Sequence, residues 1–289
     1  MYRSLADICR SAEEKKISFW EAVIEDDCRE RQLLREESFA QMKGMYRAMK
    51  QADAAYDEKL RSRSGLVGTD GGRLQAYVDS GQAVCGEFMG RVMEKAVKMG
   101  ESNACMKRIV AAPTAGACGV VPAVFLAMQD QYGYSDEKMT EALYVAAGIG
   151  GVIASRAFIA GAQGGCQAEV GSASSMAAGG AVYLRGGSAE AVVHAAAMAM
   201  KNLLGLVCDP VAGLVEVPCV KRNVSGAVVA LSAADMALAG VRSKIPPDEV
   251  IDAMREVGLS MPACVRETGE GGLAATPTGV RMREYLQSE

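Results

Sequence analysis

Period-two alternation of β-branched residues is nearly absent from this 289-residue chain, and that absence constrains the fold more than any single motif does. A half-buried strand needs such alternation to send successive side chains to opposite faces. Half of the residues are hydrophobic, yet only 5% are aromatic and 32 are glycine, so the interior has to be built from small side chains. Small side chains let helices approach closely, and they replace the aromatic-rich interior of a sandwich or barrel. The expectation is an all-α fold, a glycine- and alanine-rich helical domain.

Two regions are expected: an N-terminal amphipathic helical arm over 1–61 and a helical domain over 62–289. The arm holds most of the dense charge and reads as helical throughout. Its apolar residues Trp20, Val23, Ile24, Leu34, Met42, Met45 and Met49 recur at spacings near three and four, which makes one stripe on a helix. Ser18-Phe19-Trp20-Glu21 has the form of a capping box and predicts a helix start. Between the two regions, 65–72 contains four glycines in eight residues and argues against helix. This stretch reads as an interdomain connection or a binding loop, without a nucleotide-binding glycine pattern.

Further helices are predicted from Val120 to Gln129, Asp136 to about Ala147, Ser188 through Leu204, about Ala227 to Ala239, and Pro247 to Val257 with Gly258 as a C-terminal stop. The apolar run from Ala142 to Ala162 is rich in glycine and carries Arg156, so it reads as a buried core helix followed by a loop rather than a membrane span. No fixed-period repeat or low-complexity segment is evident.

Charge excludes several function classes. With 31 basic and 35 acidic residues and a net charge of -4, the chain has no footprint for nucleic acid or an anionic membrane. An odd count of nine cysteines, with no apolar leader, fits a reducing cytoplasm without disulfides. The one histidine, His194, lies within a predicted helix and reads as structural, because it has no spaced partner for a metal pair.

Three cysteines stand apart. Cys166, Cys208 and Cys219 lie in Gly164-Gly165-Cys166-Gln167, Val207-Cys208-Asp209-Pro210 and Val217-Pro218-Cys219-Val220. Glycine admits close approach of a bulky group, and proline ends regular structure, so these thiols read as ligands held on loops. Their spacing matches no compact C-x-x-C pattern. The competing reading is that a free cysteine is a small buried hydrophobe, which is the expectation for most of Cys9, Cys28, Cys85, Cys105, Cys118 and Cys264.

Two other stretches suggest anion binding. Ala112-Pro113-Thr114-Ala115-Gly116 precedes an apolar run, and amides uncovered at a helix start bind carboxylates, so Thr114 and Gly116 are candidate substrate-binding residues. The bland alternative is a capped core helix. Arg266, in Arg266-Glu267-Thr268-Gly269, is the third candidate, since a guanidinium clamps a carboxylate in a bidentate fork.

Taken together, the segments Ala112–Gly116, Gly165–Ala173, Leu204–Gly213, Val217–Cys219 and Arg266–Thr268 resemble the iron-sulfur-dependent L-serine dehydratases, in the α subunit of their two-subunit form. The resemblance covers essentially the whole chain. It implies an ammonia-lyase that converts L-serine to pyruvate and ammonia, with a 4Fe-4S cluster held by Cys166, Cys208 and Cys219. Three thiolates leave one iron open as a Lewis acid toward the substrate hydroxyl and carboxylate.

Single-chain members of the family carry an additional domain, so a separate β subunit is the implied partner, with self-association of the arm as another possibility. The general base is not identified. Glu169, Asp209, Glu216 and Lys221 lie near the three cysteines in sequence and read as residues that orient them.

Two departures from the family pattern stand out. Single-chain relatives can end in a tail cysteine, whereas no cysteine follows Cys264 here. In addition, Arg156, Phe158 and Ala160 replace an Asn-Ala-Ser-Ile-Ser-Gly pattern just before Cys166, a change that would alter substrate choice if the segment lines the pocket. A pyridoxal phosphate enzyme would need a Schiff-base lysine and a phosphate loop, and neither is evident. The remaining alternatives are a non-catalytic helical subunit with a structural metal or cluster, and a helical protein with no metal.

Overall fold

The computed structural model describes residues 2–288. Among them there is no sheet, only an isolated parallel bridge between Cys208 and Arg266. Thirteen α-helices follow in order: α1 Leu5–Lys15, α2 Phe19–Arg31, α3 Arg35–Ala54, α4 Asp70–Asp79, α5 Gly86–Ala104, α6 Val120–Tyr132, α7 Asp136–Arg156, α8 Gly161–Gly164, α9 Ser172–Leu184, α10 Ala189–Leu203, α11 Cys219–Leu238, α12 Pro247–Ser260 and α13 Pro277–Ser288. The expected all-α class is what the chain adopts. None of the described helices is long and apolar enough to cross a membrane.

At the centre is α9, packed on by α6, α7, α10 and α11. Its sequence Ser172-Ala-Ser-Ser-Met-Ala-Ala-Gly-Gly-Ala-Val-Tyr-Leu184 is buried on every face apart from Tyr183, which is half-buried. Small residues make that possible. A methyl group at Gly180 would come within 2.2 Å of Phe125 Cζ, and one at Gly179 within 2.2 Å of Ile149 Cδ1. No amphipathic stripe marks α9, because a helix enclosed on all sides has no polar face to alternate with. For that reason α9 escaped the helices predicted above.

The N-terminal segment is three helices, not one continuous arm. Lys16 and Gln32 adopt left-handed backbone (φ 55° for each) and close α1 and α2, and Ser18 opens α2 as the capping signal predicted. Both the amide and the hydroxyl of Ser18 donate to Glu21 Oε2, at 2.9 and 2.8 Å. Leu5, Ile8, Phe19, Ile24, Tyr46 and Met49 are all buried in the same core cluster as α9.

Other boundaries moved for identifiable reasons. Helix α7 runs to Arg156 because its glycines face neighbours, Gly148 against Val23 and Gly150 against Met176. Helix α11 begins at Cys219, eight residues before the predicted start, and its first turn is held by Val220 and Arg222 amides that donate to Glu216 and Pro218 carbonyls. Gly258 does not stop α12, which continues to Ser260. Its missing side chain instead admits Gly164 Cα, which a methyl group would meet at 2.9 Å.

The glycine stretch after α3 is fastened down rather than loose. Buried Glu101 of α5 accepts the amides of Gly68, Asp70 and Gly71 at 3.1, 2.9 and 3.1 Å and the Tyr56 hydroxyl at 2.6 Å. A carboxylate at the start of α4 thus satisfies amides that have no partner inside the helix.

Candidate metal centre

Cys166, Cys208 and Cys219 are only 3%, 3% and 9% exposed, and every pair among them interacts electrostatically. All nine cysteines are free thiols. Cys208 sits on a loop, as expected. Cys166 and Cys219 instead stand at helix starts, Cys166 immediately before the π-helical turn Gln167–Gly171 that leads into α9, and Cys219 as the first residue of α11. Pro218 causes the second placement, since it is tolerated before a helix but not within one. Both thiols thus stand where a helix dipole favours a negative charge rather than on open loops.

Burial pushes the Cys166 thiol up to about 11 and Cys219 to about 12, and it raises Cys208 as well. Arg222 opposes the shift at Cys166 and Cys219. Among the described residues, no three His, Cys, Asp or Glu side chains converge tightly enough to hold a single metal ion. Of the other six cysteines, Cys118 is buried, Cys9, Cys28 and Cys105 are half-buried, and Cys85 and Cys264 are exposed, so fewer of them fill core than the residue type suggests.

Three side chains fasten the cysteine segments to one another. Arg222, one turn beyond Cys219, forms an ion pair with Asp209 at 2.8 Å and donates to Val207 O at 2.8 Å, bracketing Cys208. Asn223 accepts the Gly119 amide at 2.8 Å and donates to Gly116 O and Cys219 O, both at 2.9 Å. Gln167 takes its own amide to Leu206 O at 3.0 Å, accepts the Gly205 amide at 2.9 Å and donates to Met254 O at 2.9 Å. Gly165 next to Cys166 has φ 75°, and a methyl group there would meet Met261 Sδ at 2.5 Å and Leu206 O at 2.9 Å, so both conformation and space require glycine.

The four charged residues near the cysteines in sequence separate cleanly. Asp209 pairs with Arg222 and accepts the Leu273 amide at 2.8 Å. Glu216 accepts the hydroxyls of Ser62, at 2.8 Å, and Ser64. Lys221 pairs with Asp70 at 2.7 Å. Those three orient segments, as expected. Glu169 instead faces the thiols, with Oε2 4.0 Å from Cys208 Sγ and Oε1 accepting the Thr114 hydroxyl at 2.7 Å. Burial first, then the nearby Glu267 carboxylate, raises its pKa, while the Thr114 hydrogen bond opposes the shift.

Thr114 and Gly116 therefore reach the site through Glu169: a methyl group at Gly116 would lie 3.0 Å from Glu169 Oε1. The amides after them are not all open, because Gly119 N–H is taken by Asn223. Arg266 lies in the segment paired with Cys208, where Cys208 N donates to Val265 O at 2.9 Å and Glu267 N to Cys208 O at 2.7 Å. Its Nε is buried without a hydrogen-bond partner.

Arg156 makes a two-pronged contact with Asp252 of α12 at 3.0 and 2.6 Å, and Phe158 packs beside Gly164. His194 is structural, as expected, its Nδ1 accepting the Ser243 amide at 3.2 Å. Arg222, Asn223, Gly161 and Glu267 were given no role from sequence, although Arg222 and Asn223 follow Cys219 in its distinctive stretch and Glu267 neighbours Arg266.

The fold is a small-residue helical bundle with three buried thiols carried on segments up to 53 residues apart and joined by an arginine. Comparison with known proteins gives the same region a family. The model of the serine dehydratase alpha chain matches residues 14–274. A probable L-serine dehydratase alpha chain of Bacillus subtilis is 48% identical over 99% of this chain and 95% of its own length, and the L-serine dehydratase alpha chain of Peptoniphilus asaccharolyticus is 41% identical over 99% and 98%. L-serine dehydratase 1 of Escherichia coli is 48% identical over 62% of this chain, which corresponds to 40% of that protein. The chain belongs to the serine dehydratase alpha chain family.

Proposed function

We propose that this chain is the α subunit of a two-subunit L-serine dehydratase, which eliminates water from L-serine to give an aminoacrylate that tautomerises and is hydrolysed by water to pyruvate and ammonia, and that Cys166, Cys208 and Cys219 hold a 4Fe-4S cluster. The observation that carries the reading is that Arg222 and Gln167 fasten to one another the segments that bear three buried free thiols. Three thiols can each bind a separate metal atom of a multinuclear group. A bound metal deprotonates its thiol ligands and would offset the burial that raises their pKa values.

When bound, such a cluster supplies one iron without a protein ligand, a Lewis acid for the departing hydroxyl. The chain's own residues do the rest. Arg222 and Asn223 fix the relative positions of the cysteine segments, and Gly161, Gly165 and Gly116 keep side chains out of the space between them. The orphan Nε of Arg266 offers a charged donor to the substrate carboxylate. A β subunit completes the enzyme, in keeping with relatives named as alpha chains and with the greater length of the Escherichia coli protein, which this chain matches over only 40%.

The test is iron and acid-labile sulfide per chain after anaerobic purification, with L-serine turnover measured on the same sample with and without the β subunit. Near-stoichiometric cluster and pyruvate formation are expected. Protein that carries no iron and resists reconstitution would exclude the cluster.

A further inference from the structure

We infer that Glu169 and Glu267 together form the binding site for the α-ammonium group of the substrate, and so restrict the enzyme to amino acids over hydroxy acids. This inference rests on the reading of the thiol site as the serine-binding centre. The geometry that carries it is a single point above Gly161. A methyl group added there would stand 2.8 Å from Cys208 Sγ, 2.8 Å from Glu169 Oε2 and 3.1 Å from Glu267 Oε2. Two carboxylates and a ligand thiol thus border one small space kept open by a glycine.

Neither carboxylate has a cation. Among the described residues, Glu169 and Glu267 take part in no ion pair, although the chain has 31 lysines and arginines and every other acidic residue near the thiols in sequence has a cation or a pair of hydroxyls. Two carboxylates facing each other beside buried thiols are unfavourable unless a proton or a positive group joins them. An amino-acid substrate brings that group as its ammonium, whose three donors match carboxylate oxygens on two sides. Glu267 is, moreover, held at φ 65°, a left-handed backbone that costs a non-glycine residue energy, and its amide is tied to Cys208 O at 2.7 Å. Such strain persists where surrounding contacts enforce it, and here it places the carboxylate at the thiol site. Arg266, the preceding residue, supplies the opposite charge for the substrate carboxylate, so adjacent residues match the two ends of a zwitterion.

The experiment uses the assembled α and β chains, reconstituted anaerobically, as wild type, Glu169→Gln and Glu267→Gln. Iron and sulfide are measured for each, kcat and KM for L-serine are taken from pyruvate formation, and the affinity for glycerate, which bears a hydroxyl in place of the amino group, is taken from its competitive inhibition of that turnover. Loss of one charged hydrogen bond should raise the KM for L-serine by about ten- to a hundredfold in each variant. Glycerate binding should change by less than about threefold, and cluster content should stay at the wild-type level. Glu267→Gln lies on an exposed segment and keeps the test available if Glu169→Gln does not fold.

Variants with full iron and an unchanged ratio of serine KM to glycerate inhibition constant would overturn the ammonium site and leave the cluster standing. A loss of kcat with unaltered KM for L-serine would likewise overturn it, because it would make the carboxylate a proton-transfer group. Iron-free wild type that still forms pyruvate would sink the cluster reading instead, whereas a serine KM still dependent on Glu169 and Glu267 would uphold the ammonium site.

Discussion

The Arg222 guanidinium stands 2.8 Å from Asp209 Oδ1, and the same Nη1 donates to Val207 O, so one side chain on the Cys219 helix grips the Cys208 loop from both sides of the cysteine. Both partners are largely buried, with side chains 16% and 4% exposed. Removing the arginine would leave Asp209 as a buried, unpaired charge. Arg222→Leu is therefore expected to lower unfolding stability by about 3–5 kcal/mol, read by urea denaturation under reducing conditions. The double variant Arg222→Leu with Asp209→Asn should recover part of that loss, whereas additive effects would show that the pair is not coupled.

Gly161 separates space from backbone conformation. Its φ is not in the left-handed region, so alanine there is conformationally permitted, yet its methyl group would crowd Cys208 and both carboxylates. Gly161→Ala should keep a melting temperature within a few degrees of wild type, because the backbone there permits alanine and only side-chain ends must yield. L-serine turnover should fall by at least about tenfold, the effect of a small displacement at a reacting centre. Full activity in this variant would show that the space above Gly161 is not used.

Glu101 holds the 65–72 segment through three backbone amides and a tyrosine hydroxyl. Glu101→Ala leaves buried donors without acceptors, at a cost of about 1–3 kcal/mol for each group that water cannot reach. Limited proteolysis should then cut first between Arg61 and Arg73, while the bundle around α9 resists. Cleavage elsewhere would mean that the segment is held by other contacts.

His194 gives the stability a pH dependence. Burial, and then Arg242, lower its pKa from the usual 6.5, while Glu190 opposes them, and its Nδ1 must be unprotonated to accept the Ser243 amide. The folded state thus favours neutral histidine. Its contribution is fully present above the unfolded value of 6.5 and is lost as pH falls through the lower folded value. Thermal stability should decline on acidification below about pH 6.5, and His194→Gln should flatten that decline. An unchanged acid slope in the variant would assign it to carboxylates instead.

Some of this was legible in the residues alone. The Ser18 capping box announced a helix start, because capping is decided within four residues of chain. Cys166, Cys208 and Cys219 stood out by their glycine and proline neighbours. Helix α9 was hidden, since its enclosure by four other helices removes the amphipathic pattern that sequence reading depends on. Glu169 was visible only as a residue near a cysteine, on a par with Asp209, Glu216 and Lys221, and only the folded chain shows that those three are occupied by Arg222, two serines and Asp70 while Glu169 faces the thiols.

By itself, then, the sequence determined the helical class and the identity of the chemically distinctive residues, because propensity, capping and side-chain size act locally. Only the tertiary structure decided which of them meet. Glu169 and Glu267 are 98 positions apart in the chain, and their approach over Gly161 follows from the packing of α9 and the bridge between Cys208 and Arg266. Long-range contacts of that kind depend on the summed packing of the whole core, a quantity that no local window of residues contains.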